Sequence, residues 1–122
     1  MSAYVLILDD DEAMRELLEI TLTDEGYDVQ SAATSDEALA IAAQQQPRVI
    51  LFDLTLGNSS GEGFANGYSQ LPNATACLLV VSGAVNIVER ATEMGIDGYL
   101  VKPYELDDLL ATVAKAFSAA PK

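Results

Sequence analysis

Acids, a hydroxyl and a lysine fall at the ends of apolar runs along this chain. Asp9-Asp10-Asp11 follows Tyr4-Val5-Leu6-Ile7-Leu8, and Asp53 follows Val49-Ile50-Leu51-Phe52. Ser82 follows Leu78-Leu79-Val80-Val81, and Lys102-Pro103 follows Gly98-Tyr99-Leu100-Val101. If these runs are strands of one open parallel sheet, their C-terminal ends share an edge, which is where such sheets bind ligands. Asp9, Asp10 and Asp53 would then meet a hydroxyl and an ammonium in one crevice. Each pair of acids about 4 Å apart repels by roughly 4 kcal/mol at an effective dielectric of about 20. Lys102 offsets one charge. The remainder calls for proton uptake or a divalent cation, and hard oxygen ligands with room for water favour Mg²⁺. A cation, an ammonium and a hydroxyl together suit a phosphoryl group. There is no His, and the lone Cys77 lies inside an apolar run, so the candidate nucleophile is a carboxylate that forms an acyl phosphate.

Each feature alone also has an ordinary structural reading. Asp11 and Glu12 suit a helix N-terminus, where acids cap backbone N–H groups and meet the helix dipole. Asp53 could form a turn, Ser82-Gly83 is common turn chemistry, and Lys102-Pro103 could simply end a strand. Asp9 and Asp10 fit the capping explanation poorly, because they come straight off the strand. The joint placement at four strand ends is what is specific.

The elements that must carry these residues alternate. After the first strand, a helix begins near Asp11 or Glu12, turns Met14, Leu17, Leu18 and Thr21 to one face, and ends at Gly26. A short second strand covers Tyr27 to Ser31. Thr34-Ser35-Asp36-Glu37 reads as a capping box opening an Ala-rich helix that stops before Pro47. After the third strand, Leu54 to Gly61 reads as a loop, followed by a weak helix from about Glu62 to Gln70 that Gly63 and Gly67 interrupt. The fourth strand is Ala76 to Val81, the fourth helix runs from about Asn86 to Met94, and Gly95 closes it. The fifth strand leads to a last helix with Leu106, Leu109, Leu110, Val113 and Phe117 at helical spacing. Five strands alternating with five helices mean βαβ units and a parallel sheet covered on both faces.

The totals set bounds. At 122 residues, half of them apolar, the chain reads as one folded domain over 1–122, with 118–122 as a flexible tail. Nineteen acids against six bases give a net charge of −13, which argues against nucleic-acid binding by this domain. No apolar run approaches the roughly 20 residues that span a bilayer, and no charged-then-apolar leader precedes Tyr4. A buried thiol and a cytoplasmic location are the expectation for Cys77 and for the chain.

With those residues in view, the chain resembles the receiver domain of bacterial two-component response regulators along essentially its whole length. The matching stretches are Leu6 to Asp11 with Arg15, Val49 to Asp53 with Gly61, Val81-Ser82-Gly83, and Gly98 to Pro103. The resemblance implies a flavodoxin-like α/β fold, with a five-stranded parallel sheet in the order 2-1-3-4-5 and five helices on both faces. It implies that Asp53 is the phosphoacceptor, charged by a sensor histidine kinase or a phosphotransfer protein. Asp10 and Asp53 would ligate Mg²⁺ directly with the carbonyl of Thr55, and Asp9 would act through a water. Lys102 would pair with the acyl phosphate, Ser82 would move to hydrogen-bond it, and Tyr99 would swing inward. That movement would alter the face of the fourth helix, fifth strand and last helix. There a downstream protein or fused output domain would dock, and the last two helices would offer a route to a homodimer.

Departures from the family pattern cluster after Asp53. The usual Pro is absent, Leu56 being followed by Gly57, so the loop to Gly61 is expected to be looser. The third helix lacks a firm apolar stripe, and the span from Ser82 to Tyr99 is short. Two rivals to the switch remain at this point: a pseudo-receiver, an interaction module with the fold and no phosphoryl traffic, and a flavodoxin-like cofactor binder or Asp-dependent phosphatase. A flavin site would want a Ser/Thr-rich loop after the first strand, where this chain has acids. The phosphatase would use Asp9 with Asp11 but leaves Asp53, Ser82 and Lys102 unexplained.

Overall fold

A computed structural model describes residues 3–57, 59–96 and 98–119. Its elements in chain order are β1 (Tyr4–Leu8), α1 (Glu12–Asp24), β2 (Asp28–Ala32), α2 (Ser35–Gln44), β3 (Val49–Phe52), β4 (Thr55–Leu56), β5 (Ser59–Ser60), α3 (Gly61–Ser69), β6 (Cys77–Ser82), α4 (Ile87–Met94), β7 (Gly98–Val101) and α5 (Leu106–Ala119). Five strands form one parallel sheet in the order β2-β1-β3-β6-β7. This is the expected 2-1-3-4-5 arrangement, with a small hairpin, β4–β5, inserted in the numbering. Strand order reverses between β1 and β3, so a topological switch point opens at the C-terminal edge.

The alternation of side chains along each strand builds two cores. Leu6, Leu8, Ile50, Phe52 and Val80 point to one face, where Ala38 and Ala42 of α2, Phe64 of α3 and Ile87 and Ala91 of α4 cover them. Val5, Ile7, Val49, Leu51 and Val81 point to the other, under Leu18 and Leu22 of α1 and Leu109 and Val113 of α5. Every residue of β1 and β3 is buried, which is why both read as unbroken apolar runs. Cys77 is buried, as its position in a run predicts. Among the described residues, no helix is long and apolar enough to cross a membrane.

Several details differ from the expectation. The loop after Asp53 is an antiparallel hairpin, pairing Thr55 with Ser60 and Leu56 with Ser59. Gly57 supplies the positive φ of 62° that such a tight turn requires. The third helix does have an apolar stripe, and it is aromatic. Phe64 and Tyr68 are buried one turn apart, and Phe64 packs on Phe52 with ring centres 5.3 Å apart. On α1 the core face is Leu18 and Leu22, whereas Leu17 is 57% exposed. Adjacent leucines sit about 100° apart on a helix, so the sheet can take only one of them. On α5, Leu106 is exposed and Ala116 takes the inward position. That helix runs through Ala119, so Ser118 and Ala119 of the expected tail are helical, and residues 120–122 lie outside the described ones. Arg48 holds the far end of α5, donating from Nε to the Phe117 carbonyl at 2.7 Å and lying over its ring.

The Thr34 cap forms as read, accepting from Glu37 N at 3.2 Å. Glu37 reaches back one residue further than a standard capping box and accepts from Ala33 N at 2.8 Å. The fourth helix is eight residues long and ends on Gly95 in the left-handed conformation.

Candidate functional site

Strand register carries the site residues to one edge. Leu8 pairs with Phe52, so Asp9 and Asp53 each stand one residue beyond that pair. Ser82 pairs with Val101, and Lys102 N donates to the Ser82 carbonyl at 2.9 Å, which places Lys102 just past the end of β6. The peptide bond from Lys102 to Pro103 is cis.

Asp53 and Lys102 meet across the edge. The ammonium lies 2.7 Å from Asp53 Oδ2, with both side chains mostly shielded. The other carboxylate oxygen, Oδ1, accepts from Thr55 N at 3.0 Å. Burial works to lower the Lys102 pKa. The hydrogen bond and charge of Asp53, with the charge of Asp9, outweigh it and hold the value above the ordinary range.

Asp9 is 5% exposed, an uncommon depth for a carboxylate. Burial raises its pKa, and the charges of Asp53 and Asp10 add to that; the Asp11 N–H and Lys102 oppose it. The Asp11 N–H reaches Asp9 Oδ1 at 2.9 Å. Asp11 is the cap of α1, its own Oδ1 accepting from Met14 N at 3.2 Å. Asp10, between them, is exposed, and no hydrogen bond holds its carboxylate among the described residues. A Cβ on Gly57 would sit 3.4 Å from Asp10 Oδ2, so the hairpin turn flanks this acid closely.

The sequence expects three carboxylates in one crevice. The fold brings Asp9 and Asp53 to the same point beside Lys102 and leaves Asp10 and Thr55 at the exposed rim. Among the described residues, no three acids close around one point as a ready-made cation cage. The donors on offer are nevertheless all carboxylate and carbonyl oxygens. That set fits a small hard cation that keeps several of its own waters.

Ser82 is 3% exposed, and its Oγ accepts from Ala84 N at 3.1 Å, which leaves its own proton to donate. Tyr99 stands apart on β7 and is 44% exposed.

Three further residues shape the site: Arg15 and Gly61 belong to the stretches that carry the family resemblance but have no role assigned there, and Tyr104 lies outside them. Arg15, on the second turn of α1, donates from Nη1 to the Asp9 carbonyl at 2.9 Å. Tyr104 is half-buried and close enough to feel the charges of both Lys102 and Asp9, and burial raises its pKa. Gly61 abuts the end of β3: a Cβ there would fall 2.5 Å from the Asp53 carbonyl oxygen and 2.9 Å from Leu54 Cα. A glycine eight residues after an acid at a strand end carries no local signal of that contact.

Fold and site together define a doubly wound α/β protein with an acid–lysine crevice at its switch point. The sequence matches the response regulator receiver domain over residues 5–114. It is 34% identical over 114 residues to the transcriptional regulatory protein KdpE of Mycobacterium tuberculosis, covering 92% of this chain and 50% of that one. It is 32% identical to the DNA-binding dual master transcriptional regulator RpaA of Synechocystis, covering 89% and 46%. Among solved structures, a CheY-like receiver domain from Methanospirillum hungatei superposes with a TM-score of 0.85 at 26% identity, covering 97% and 95%. Chemotaxis protein CheY4 of Vibrio cholerae gives 0.78 at 29% identity, covering 95% and 99%. The chain belongs to the receiver domain family of two-component response regulators, which are signalling modules rather than conventional enzymes. It spans about half the length of the first curated relatives it matches.

Proposed function

We propose that this domain is a phosphorylation-operated switch with Asp53 as phosphoacceptor. The observation that carries the reading is the 2.7 Å contact between Asp53 and Lys102 at the switch-point edge, beside the buried Asp9. An Asp53 oxygen would attack the phosphorus of a phosphohistidine on a kinase or phosphotransfer protein. The P–N bond breaks, the imidazole leaves with the bonding pair, and an acyl phosphate remains on Asp53.

Asp10 and Asp53, with the Thr55 carbonyl, would hold Mg²⁺, and Asp9 would act through a water. When bound, the cation supplies positive charge to the oxygens of the transferring group. Lys102 leaves Asp53 for a phosphoryl oxygen, exchanging one anionic partner for another. The Ser82 proton, free of the Ala84 contact, is available to a second phosphoryl oxygen. That contact exists only in the phosphorylated state, so it biases the equilibrium toward a moved Ser82 and an inward Tyr99. The face of α4, β7 and α5 changes with them. A fused output domain or a separate protein would read it in the cytoplasm, with a homodimer through α4 and α5 as one form. The transcriptional-regulator relatives, about twice as long, support a fused output.

The test is incubation with Mg²⁺ and a small phosphodonor, followed by intact-mass measurement. An alkali-labile phosphoryl adduct that vanishes in Asp53→Asn is expected. No adduct despite measurable Mg²⁺ binding would leave the pseudo-receiver reading. An adduct that survives Asp53→Asn and is lost in Asp9→Asn would favour the phosphatase-like one.

A further inference from the structure

Asp10 presents a particular difficulty for the proposed cation site. Its carboxylate is exposed and takes no hydrogen bond among the described residues, so nothing acting on the side chain itself aims it. Its aim must come from the backbone on either side. On one side, Asp9 is tied at its N–H to the Ala32 carbonyl at 3.2 Å. On the other, Asp11 is tied at its N–H to Asp9 Oδ1 at 2.9 Å. Two carbonyls flank Asp10 in the chain, and Arg15 holds both. Its backbone N–H donates to the Asp11 carbonyl at 2.9 Å, and its guanidinium Nη1 donates to the Asp9 carbonyl at 2.9 Å.

We propose that Arg15 is a positioning residue for the cation site: by clamping the turn on both sides of Asp10, its side chain holds that carboxylate where Mg²⁺ can take it. The inference rests on the reading of Asp10 and Asp53 as metal ligands. The bond from the Arg15 backbone belongs to α1 and survives substitution by Ala or Lys. The guanidinium bond spans six residues back along the chain and is lost with the side chain. A turn freed at the Asp9 carbonyl can rotate the peptide that carries Asp10.

The charge of Arg15 pulls the other way, which makes the proposal decidable. A cation beside a carboxylate cluster repels Mg²⁺, so if Arg15 acted only through charge, its removal would tighten binding. If it acts by position, removal weakens binding. Losing a partner that orients a ligand typically costs on the order of tenfold or more in metal affinity.

The measurement is an NMR titration of the full chain with MgCl₂, following the backbone amides around Asp10 and Asp53. Arg15→Ala is expected to raise the apparent Mg²⁺ Kd about tenfold. Arg15→Lys, with the charge and one donor kept, should recover part of the loss. Thermal melts in the absence of Mg²⁺ check that both variants are folded. An unchanged or lower Kd in folded Arg15→Ala overturns the proposal and leaves the guanidinium a charge only. Equal weakening in Arg15→Lys and Arg15→Ala also overturns it, because a retained donor should retain some of the clamp. If the wild type shows no Mg²⁺-dependent shifts, the metal-site reading itself fails and takes the proposal with it.

Discussion

Lys102 Nζ stands 2.7 Å from Asp53 Oδ2, so an ammonium from the end of β7 already occupies an oxygen of the candidate phosphoacceptor. The pair ties the end of β7 to the end of β3. Lys102→Ala should leave Mg²⁺ binding largely intact, because the ammonium is no ligand, while blunting the shift of Ser82 and Tyr99 on phosphorylation. Amide chemical shifts in β7 with and without phosphodonor read this directly. A full response in Lys102→Ala would remove Lys102 from the coupling.

The same pair sets an alkaline limit on stability. The folded Lys102 pKa lies above the ordinary 10.5, so its stabilisation is complete below that pH. It is lost as pH climbs through the higher folded value. Tyr4, pushed up to about 12 by burial, acts with the same sign, because the fold disfavours its phenolate. Denaturant midpoints should therefore fall steeply above about pH 10.5. Lys102→Ala should show a shallower decline that retains the tyrosine part.

Asp9 predicts a trade between stability and function. Burial raises its folded pKa, so its neutral form suits the fold and its charge does not. The favourable contribution is present below the ordinary carboxylate range and is lost as pH rises through the raised folded value. Asp9→Asn removes the charge that burial penalises, while the Asn oxygen can still accept from Asp11 N. The variant should be more stable by about 1 kcal/mol, a Tm rise of roughly 4 °C in a domain of this size. The gap should narrow as pH is lowered, and adding Mg²⁺ should stabilise the wild type more than the variant. A less stable Asp9→Asn at pH 7 would contradict this account.

Two glycines of α3 should respond oppositely to alanine. At Gly61 the new Cβ meets backbone 2.5 Å and 2.9 Å away, and neither atom can move without shifting the end of β3. Gly61→Ala should cost about 1–3 kcal/mol and disturb Asp53. At Gly67 the nearest atom is the tip of the Leu39 side chain at 3.3 Å, which can turn aside. Gly67→Ala should be neutral or stabilise by up to about 1 kcal/mol through helix propensity alone. Chemical denaturation of the two variants, with phosphoryl uptake of each, separates the cases.

The strand ends are legible in the sequence because buried parallel strands are unbroken apolar runs, and a polar residue that ends one is conspicuous. The same logic fails at β4 and β5. Two-residue strands built from Thr55, Leu56, Ser59 and Ser60 have no period to read, and Gly57 becomes a turn signal only once its flanks are known to pair. Asp9 and Asp10 are alike as letters, yet one is buried and the other exposed, because that depends on which way the chain leaves β1. On α3 the aromatic stripe hides behind the glycines, since it matters only once Phe52 is known to lie beneath Phe64, on which Tyr68 stacks.

Nothing local predicts the contact that joins α3 to α4, where Arg90 Nε and Nη2 donate to Glu62 at 2.5 Å and 2.7 Å across 28 residues. The fourth helix needs such support. It is eight residues long, and its cap Asn86 makes no side-chain capping bond. Val85 just before it is fully exposed. The hydrogen bond from Arg90 lowers the Glu62 pKa, so the pair stabilises above the ordinary carboxylate range and is lost as pH falls through the lowered value. Both side chains are about a third exposed, which limits the coupling to roughly 0.5 kcal/mol in a double-mutant cycle of Glu62→Gln and Arg90→Gln, and less in high salt. The larger effect should be local. Amide exchange in α4 should quicken about twofold in either single variant at pH 7, with the central strands unchanged. Its protection factors, corrected for the intrinsic pH dependence of exchange, should fall in the wild type too once Glu62 is protonated. Uniform acceleration across the sheet would mean that the pair supports the whole fold rather than α4.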